Sequence, residues 1–241
     1  MTQETGARIP RDPWLRRLYL PAYTVTEAAF LARIHPVTIT RWYFGRPRLP
    51  VGRGARVLGK RHRGIPLSYL QLVEVAFVAT LRKMGIPLQR IRIAYEYLER
   101  RFNTEYPFAR LKIKTDGARL LNDLKQAEGP WVNKLLEEAS ARGQVIWVEP
   151  IQDRIQEFDY NRMYELAIRW FPRGKDVPIV IDPQIQFGAP ILKDSGVATW
   201  VIGERRRVGE SIDEIREDFG IGELAVRQAL DFERVEVLTP A

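Results

Sequence analysis

The chain has 241 residues, 45% of them apolar and 28% charged, a balance that suits two or three small domains, each burying a core. It holds no cysteine and two histidines, which excludes disulfides, thiolate metal sites and most histidine-based metal or triad chemistry; no apolar run approaches the roughly 18 residues of a membrane span. The net charge of +8 is unevenly spread: residues 1–101 carry 19 Lys/Arg against 6 Asp/Glu, residues 102–241 carry 19 against 24, and no acid stands between Glu27 and Glu74.

In chain order, residues 1–22 read as an arm broken by Pro10, Pro13 and Pro21, with Trp14, Leu15, Leu18 and Tyr19 available to pack back onto the body. Met1 to Arg11 lacks the apolar run of a signal peptide, and a cytoplasmic protein is expected. Tyr23 to Phe44 reads as two short helices. Thr24 with Glu27 three residues on is a possible capping box, and Val25, Ala28, Ala29 and Ala32 give a stripe of small side chains that another helix can approach closely. The turn falls near Ile34 and His35, Pro36 suits the first position of the second helix, and Gly45 suits its end. Ile39 with Trp42 or Tyr43 faces inward, which leaves Thr38, Thr40 and Arg41 on or near the outer side.

Arg46 to Gly64 is rich in glycine, proline and arginine and reads as a short β-hairpin with Arg53 to Arg56 near its tip. Ser68 to Met84 has apolar residues at helical spacing (Leu70, Val73, Phe77, Leu81 and Met84), Gly85 ends it, and Pro87 starts a second long helix lined by Leu88, Ile91, Ala94, Tyr95, Leu98 and Phe102. The middle, 104–182, looks α+β: Trp131 to Ala141 is helical, and Gln144–Val148, Met163–Trp170 and Val177–Ile181 are strand-like. After a loop holding Pro183, Gly188 and Pro190, Thr199 to Arg207 reads as a helix. Ser211 with Glu214 is a second capping box before the stripe Ile212, Ile215 and Phe219. Gly220 to Gly222 makes a turn, and Leu224, Val226, Ala229 and Leu230 continue on a last helix.

An α-helix fits the major groove of B-DNA, where its side chains meet base edges. The helix at Pro36 has that build: it is short, anchored on one side, and offers hydroxyls and an arginine on the other. Arginine takes guanine or phosphate, and threonine takes phosphate or a thymine methyl. The nine bases of the acid-free window, Arg33, Arg41, Arg46, Arg48, Arg53, Arg56, Lys60, Arg61 and Arg63, create a positive potential suited to a polyanion. The expected DNA contacts are Thr24, Thr26, His35, Thr38, Thr40, Arg41, Tyr43, Arg46, Arg48, Arg53, Arg56, Lys60, Arg61 and Arg63, with Pro36–Phe44 reading bases and Arg46–Arg63 gripping backbone.

Tyr23 to Phe102 resembles the DNA-binding domains of the MerR family. The likeness sits in Tyr23-Thr24-Val25-Thr26-Glu27-Ala28-Ala29, in His35-Pro36-Val37-Thr38-Ile39-Thr40-Arg41-Trp42-Tyr43, and in Leu81 to Ile91. It implies a winged helix-turn-helix in which Arg41 and its neighbours touch DNA, working as a homodimer on a pseudo-palindromic operator, with Tyr95, Leu98 and Phe102 as dimer contacts. MerR proteins continue into a long antiparallel coiled coil, whereas here the helix is expected to stop near Phe102. Ile181 to Pro190, Ser211 to Ile215 and Ala229 to Glu233 resemble a small helix-turn-helix domain of unnamed function found in bacterial antitoxins, often beside PIN-like ribonuclease toxins. The whole order is similar to VapB-type antitoxins of the mycobacterial kind. One departure is Lys193 to Thr199, where members tend to carry an arginine-containing stretch.

The expected class is therefore α+β, mostly α: an arm (1–22), a MerR-like head (23–103), an α+β middle (104–182) and a helical helix-turn-helix tail (183–241). The resemblance implies an antitoxin that binds operator DNA, represses its own transcription and neutralises a PIN-like ribonuclease by direct contact. A stand-alone regulator with an effector pocket in the middle segment is the alternative, and an enzyme targeted by the head is a third. No catalytic constellation supports an enzyme, and no cofactor or metal is expected. Asp213, Glu214, Glu217 and Asp218 suit a solvated helix start better than a metal cluster. His35 reads as a turn residue and His62 as solvated. Trp131, Trp147, Trp170 and Trp200 read as core or interface anchors.

Overall fold

The computed structural model describes residues 10–45, 55–110 and 154–235, an α+β chain that divides into two compact units. The first comprises residues 1–156 and 160–167, the second residues 157–159 and 168–241. The expected helix at Trp131–Ala141 and strand at Gln144–Val148 lie outside the described residues.

The first unit opens on a helix, α1 (Pro13–Tyr19), where an arm was expected. Asp12 caps it by accepting from the Trp14 N–H at 2.8 Å, Pro13 sits in its first turn, and Leu18 is fully buried. Trp14 stacks on Tyr164 at 5.3 Å, and the Tyr164 hydroxyl donates to Asp12 at 2.7 Å. Strand β1 (Pro21–Tyr23) pairs antiparallel with β2 (Leu67–Ser68). Helix α2 (Val25–Ala32) starts on the expected box, with Thr24 Oγ1 accepting from Glu27 N–H and Glu27 accepting from Thr24 N–H. A short turn leads to α3 (Pro36–Phe44).

Helix α4 (Tyr69–Lys83) is the centre of this unit. Ser68 and Gln71 form a second capping box, and the helix is buried on every side rather than along one stripe, because α1, α2, α5 and the 3-10 turn Pro107–Ala109 all pack on it. Helix α5 (Leu88–Phe102) ends at Asn103, whose left-handed backbone closes it. The stop near Phe102 was expected.

The second unit holds most of a four-stranded sheet of order β3 (Phe158–Asn161), β4 (Leu166–Trp170), β5 (Ile179–Ile181), β6 (Pro190–Leu192). The expected strand at Met163–Trp170 is shorter, because the Asn161 side chain accepts from the N–H groups of Met163 and Tyr164 and turns the chain there. β5 and β6 pair antiparallel through Ile179 with Leu192 and Ile181 with Pro190, so part of the expected loop is strand. Helices α6 (Thr199–Arg207), α7 (Ile212–Phe219) and α8 (Glu223–Phe232) pack on one another. Ser211 and Glu214 form the expected capping box, and Gly220 takes a left-handed conformation between α7 and α8. Gly203 lets α6 meet the end of α8: a Cβ there would stand 3.3 Å from that of Glu233.

Candidate nucleic-acid interface

Helix α3 shows how this surface is built. Ile39, Trp42 and Tyr43 are buried, which leaves Val37 and Arg41 exposed on the opposite side, with Thr38, Thr40 and Phe44 half-buried beside them. The turn before α3 places Arg33 in the left-handed region (φ 54°), a conformation glycine adopts at lower cost. His35 caps α3, its Nδ1 accepting from the Val37 N–H at 3.2 Å, so the neutral ring carries its proton on Nε2. The Thr40 hydroxyl donates to the Pro36 carbonyl at 3.4 Å and keeps acceptor capacity only.

The basic segment that follows lies against α3. Val57 and Leu58 are buried, and both donate their N–H groups to the Trp42 carbonyl, at 2.7 and 3.1 Å. These bonds go to a helix end rather than a partner strand, and the described residues 55–64 contain no strand where a hairpin arm was expected. From α5, Arg92 fixes the same segment by donating to the Arg56 carbonyl at 2.8 Å and the Ala55 carbonyl at 2.9 Å. Arg63 rests over the Phe44 ring at 4.7 Å and Arg61 over the Tyr43 ring at 5.6 Å. Arg61 is half-buried and donates to the Ile65 carbonyl; burial lowers its pKa.

The structure thus brings His35, Arg41, Arg56, Lys60 and Arg63 together as exposed groups on α3 and its flanking segment. Thr24 and Thr26 are exposed at the start of α2, with the Thr24 hydroxyl already engaged by Glu27 at 2.7 Å. Tyr43 is a correction: it is 4% exposed, its hydroxyl donates to the Gln71 carbonyl, and it faces the core instead of DNA. Arg46, Arg48 and Arg53 lie outside the described residues. Of the expected dimer contacts, Tyr95 and Leu98 are buried within this unit, Tyr95 donating to the Glu105 carbonyl at 2.7 Å, and Phe102 is half-buried.

Two features escaped sequence reasoning. Val37 is a large apolar residue, 45% exposed, in the middle of the polar face; only the neighbours that bury Tyr43 as well as Trp42 reveal its outward position. Glu74, the first acid after the window, lies 1% exposed on α4 and accepts from the Ala109 N–H at 3.0 Å. Burial raises its pKa well above the usual carboxylate range, which favours the uncharged form.

The second unit has the opposite character. Asp213, Glu214, Glu217 and Asp218 are exposed on α7, with Arg205 bonded to Glu210 and Asp218, Arg216 paired to Asp213 at 3.2 Å, and Glu214 held below its usual pKa by the bond from Ser211 N–H. Among the described residues no group of three or more His, Asp or Glu is placed to hold a metal. Trp170 is buried as expected, whereas Trp200 is 54% exposed; Leu224 and Phe187 are exposed too. Trp131 and Trp147 lie outside the described residues. No helix among those described is long and apolar enough to cross a membrane.

Over 232 residues, 89% of this chain and 95% of the other, the sequence is 25% identical to a Mycobacterium tuberculosis (strain ATCC 25618 / H37Rv) protein named "Putative antitoxin VapB45". The fold is similar to the crystal structure of Rv2018 from Mycobacterium tuberculosis, with a TM-score of 0.68 and 25% identity, over 89% of this chain and 100% of that one. Residues 179–232, from β5 to α8, match the model of DUF433, a family described as a protein of unknown function.

Proposed function

We propose that this chain is the antitoxin of a type II toxin–antitoxin system, which binds operator DNA through a MerR-like winged helix-turn-helix in its first unit and neutralises a PIN-like ribonuclease by direct contact. The observation that carries the DNA half is the surface of α3 and residues 55–63, where exposed Arg41, Arg56, Lys60 and Arg63 stand together in a window without an acid. Base reading belongs to α3, and the following basic segment grips phosphates. The similarity to the mycobacterial protein named as an antitoxin supports the toxin half. So does the second unit, where exposed Trp200 accompanies an acidic α7, a chemistry suited to the basic surface of an RNA-cutting partner. A homodimer on a pseudo-palindrome is part of the proposal, and Phe102 is the named dimer residue with surface to offer.

Arg41→Ala is expected to weaken operator binding by roughly 1–3 kcal/mol, about 5- to 150-fold, in a gel-shift titration. Unchanged affinity would remove α3 from the interface. For the toxin, a ribonuclease should co-purify with the tagged chain, and Trp200→Ala should weaken that complex by about 2 kcal/mol or more, as truncating a buried aromatic anchor does. Recovery of the chain without any ribonuclease, from cells expressing both, would end the antitoxin reading.

A further inference from the structure

We infer that Val37 reads the methyl group of a thymine, so that each half-site pairs that thymine with the base taken by Arg41, within about two base pairs. This deepens the DNA-binding proposal and rests on it. Ile39, Trp42 and Tyr43 supply the side of α3 that enters the core, and Val37 stands on the other side with 45% of its surface exposed. Its backbone N–H is already satisfied by His35, and a β-branched residue offers a helix start no propensity advantage. Single exposed apolar residues are common on protein surfaces, so exposure alone decides nothing. The position does: Val37 is in the first turn of α3, the part of a recognition helix that meets base edges, and four residues before Arg41, on the same face.

The chemistry of the groove then limits what Val37 can recognise. Among base edges in the major groove, the thymine C5-methyl is the apolar feature, and the rest are donors and acceptors. Valine has one strongly preferred rotamer in a helix, so its two methyls meet that group at little cost in conformational entropy. Arg41 supplies the donors for a guanine one helical turn away. Four residues rise about 6 Å along α3, against about 3.4 Å per base pair, which sets the two-base-pair limit. Thr40, its hydroxyl donated to Pro36, does not compete as a donor at the same step.

The test uses the full chain. A randomised duplex pool is selected with the wild-type protein, and each thymine of the enriched site is then replaced singly by deoxyuridine, which removes only the 5-methyl. The guanine is located as the position whose preference Arg41→Ala abolishes. Wild-type protein is expected to lose roughly 3- to 10-fold in affinity at one thymine within two base pairs of that guanine. Val37→Ala, a change an exposed helix position tolerates, should bind the thymine and uracil duplexes within twofold of each other. Indifference of the wild-type chain to uracil throughout the half-site, or equal sensitivity in Val37→Ala, overturns the role of Val37 and leaves DNA binding standing. A pool from which wild-type protein enriches no sequence overturns the DNA-binding proposal itself, and this inference with it.

Discussion

Trp170→Ala is expected to destabilise the second unit by about 3–5 kcal/mol, a large share of the roughly 5–15 kcal/mol that holds a domain together. Trp170 ends β4 opposite Ile181 of β5, is 1% exposed, and stacks on Phe158 at 5.8 Å with the rings 16° apart. Its indole N–H donates to Glu157 at 3.0 Å. Truncation removes the largest fully buried side chain among the described residues, leaves a cavity between strands, and takes the donor from that carboxylate. Denaturant unfolding followed by amide exchange at Ile179 to Ile181 would show the loss. Trp170→Phe should retain the ring stack, lose the bond to Glu157 and cost less. If alanine costs under 1 kcal/mol, the strands close over the gap and Trp170 does not organise the sheet.

The second large effect depends on pH. Glu74 is held above its ordinary pKa first by burial, with a smaller contribution from Glu99, while the backbone N–H groups of Ala109 and Phe108 act in the opposite direction. The phenols of Tyr43, Tyr95, Tyr106 and Tyr160 lie within reach of its charge, which adds to burial in raising their pKa values. A carboxyl whose folded pKa lies above its unfolded value of about 4.3 favours folding fully below that pH. The contribution is lost as pH rises from there through the folded pKa, at up to about 1.4 kcal/mol per pH unit. Glu74→Gln is uncharged at every pH and keeps an oxygen for the Ala109 N–H. The melting temperature of this variant is expected to match the wild type near pH 4 and to exceed it by a widening margin from pH 5 to pH 8. Parallel curves across that range would mean that Glu74 does not titrate with folding. Glu74→Ala, which leaves the Ala109 N–H without its acceptor, should be less stable than Glu74→Gln at every pH by about 1–3 kcal/mol.

Much of the first unit was legible because its signals are local. Thr24 with Glu27, Pro36 with Gly45, and Gly85 with Pro87 are start and stop chemistry that acts within a few residues, and helices α2 to α5 follow it. What was missed depends on distant partners. Proline-rich residues 10–21 read as an arm, yet α1 forms because Leu18 is buried and Asp12 and Trp14 meet Tyr164. α4 presents an apolar stripe in sequence, but Glu74 goes into the interior because a turn more than 30 residues away supplies its donor. The choice between Trp42 and Tyr43 on α3 was open to the same ambiguity. Two adjacent aromatics cannot both sit at the centre of one stripe, and both are buried here because α4 and the segment at Val57 and Leu58 cover neighbouring sides. In the second unit, Leu224 falls at helical spacing yet is exposed, since Val226, Ala229 and Leu230 fill the available contact.

The bond from Tyr164 to Asp12 spans 152 positions. A ribosome adds about 5–20 residues per second, so Tyr164 follows Asp12 out of the ribosome by roughly 8–30 s. During that interval the nascent first unit lacks the strand of chain, Tyr160 to Ala167, that belongs to it. Translation order therefore separates the appearance of the basic surface, complete in sequence by Arg63, from the completion of the unit that carries it. A chain interrupted between Arg63 and Tyr160 would carry every described residue of the basic surface on an unfinished scaffold.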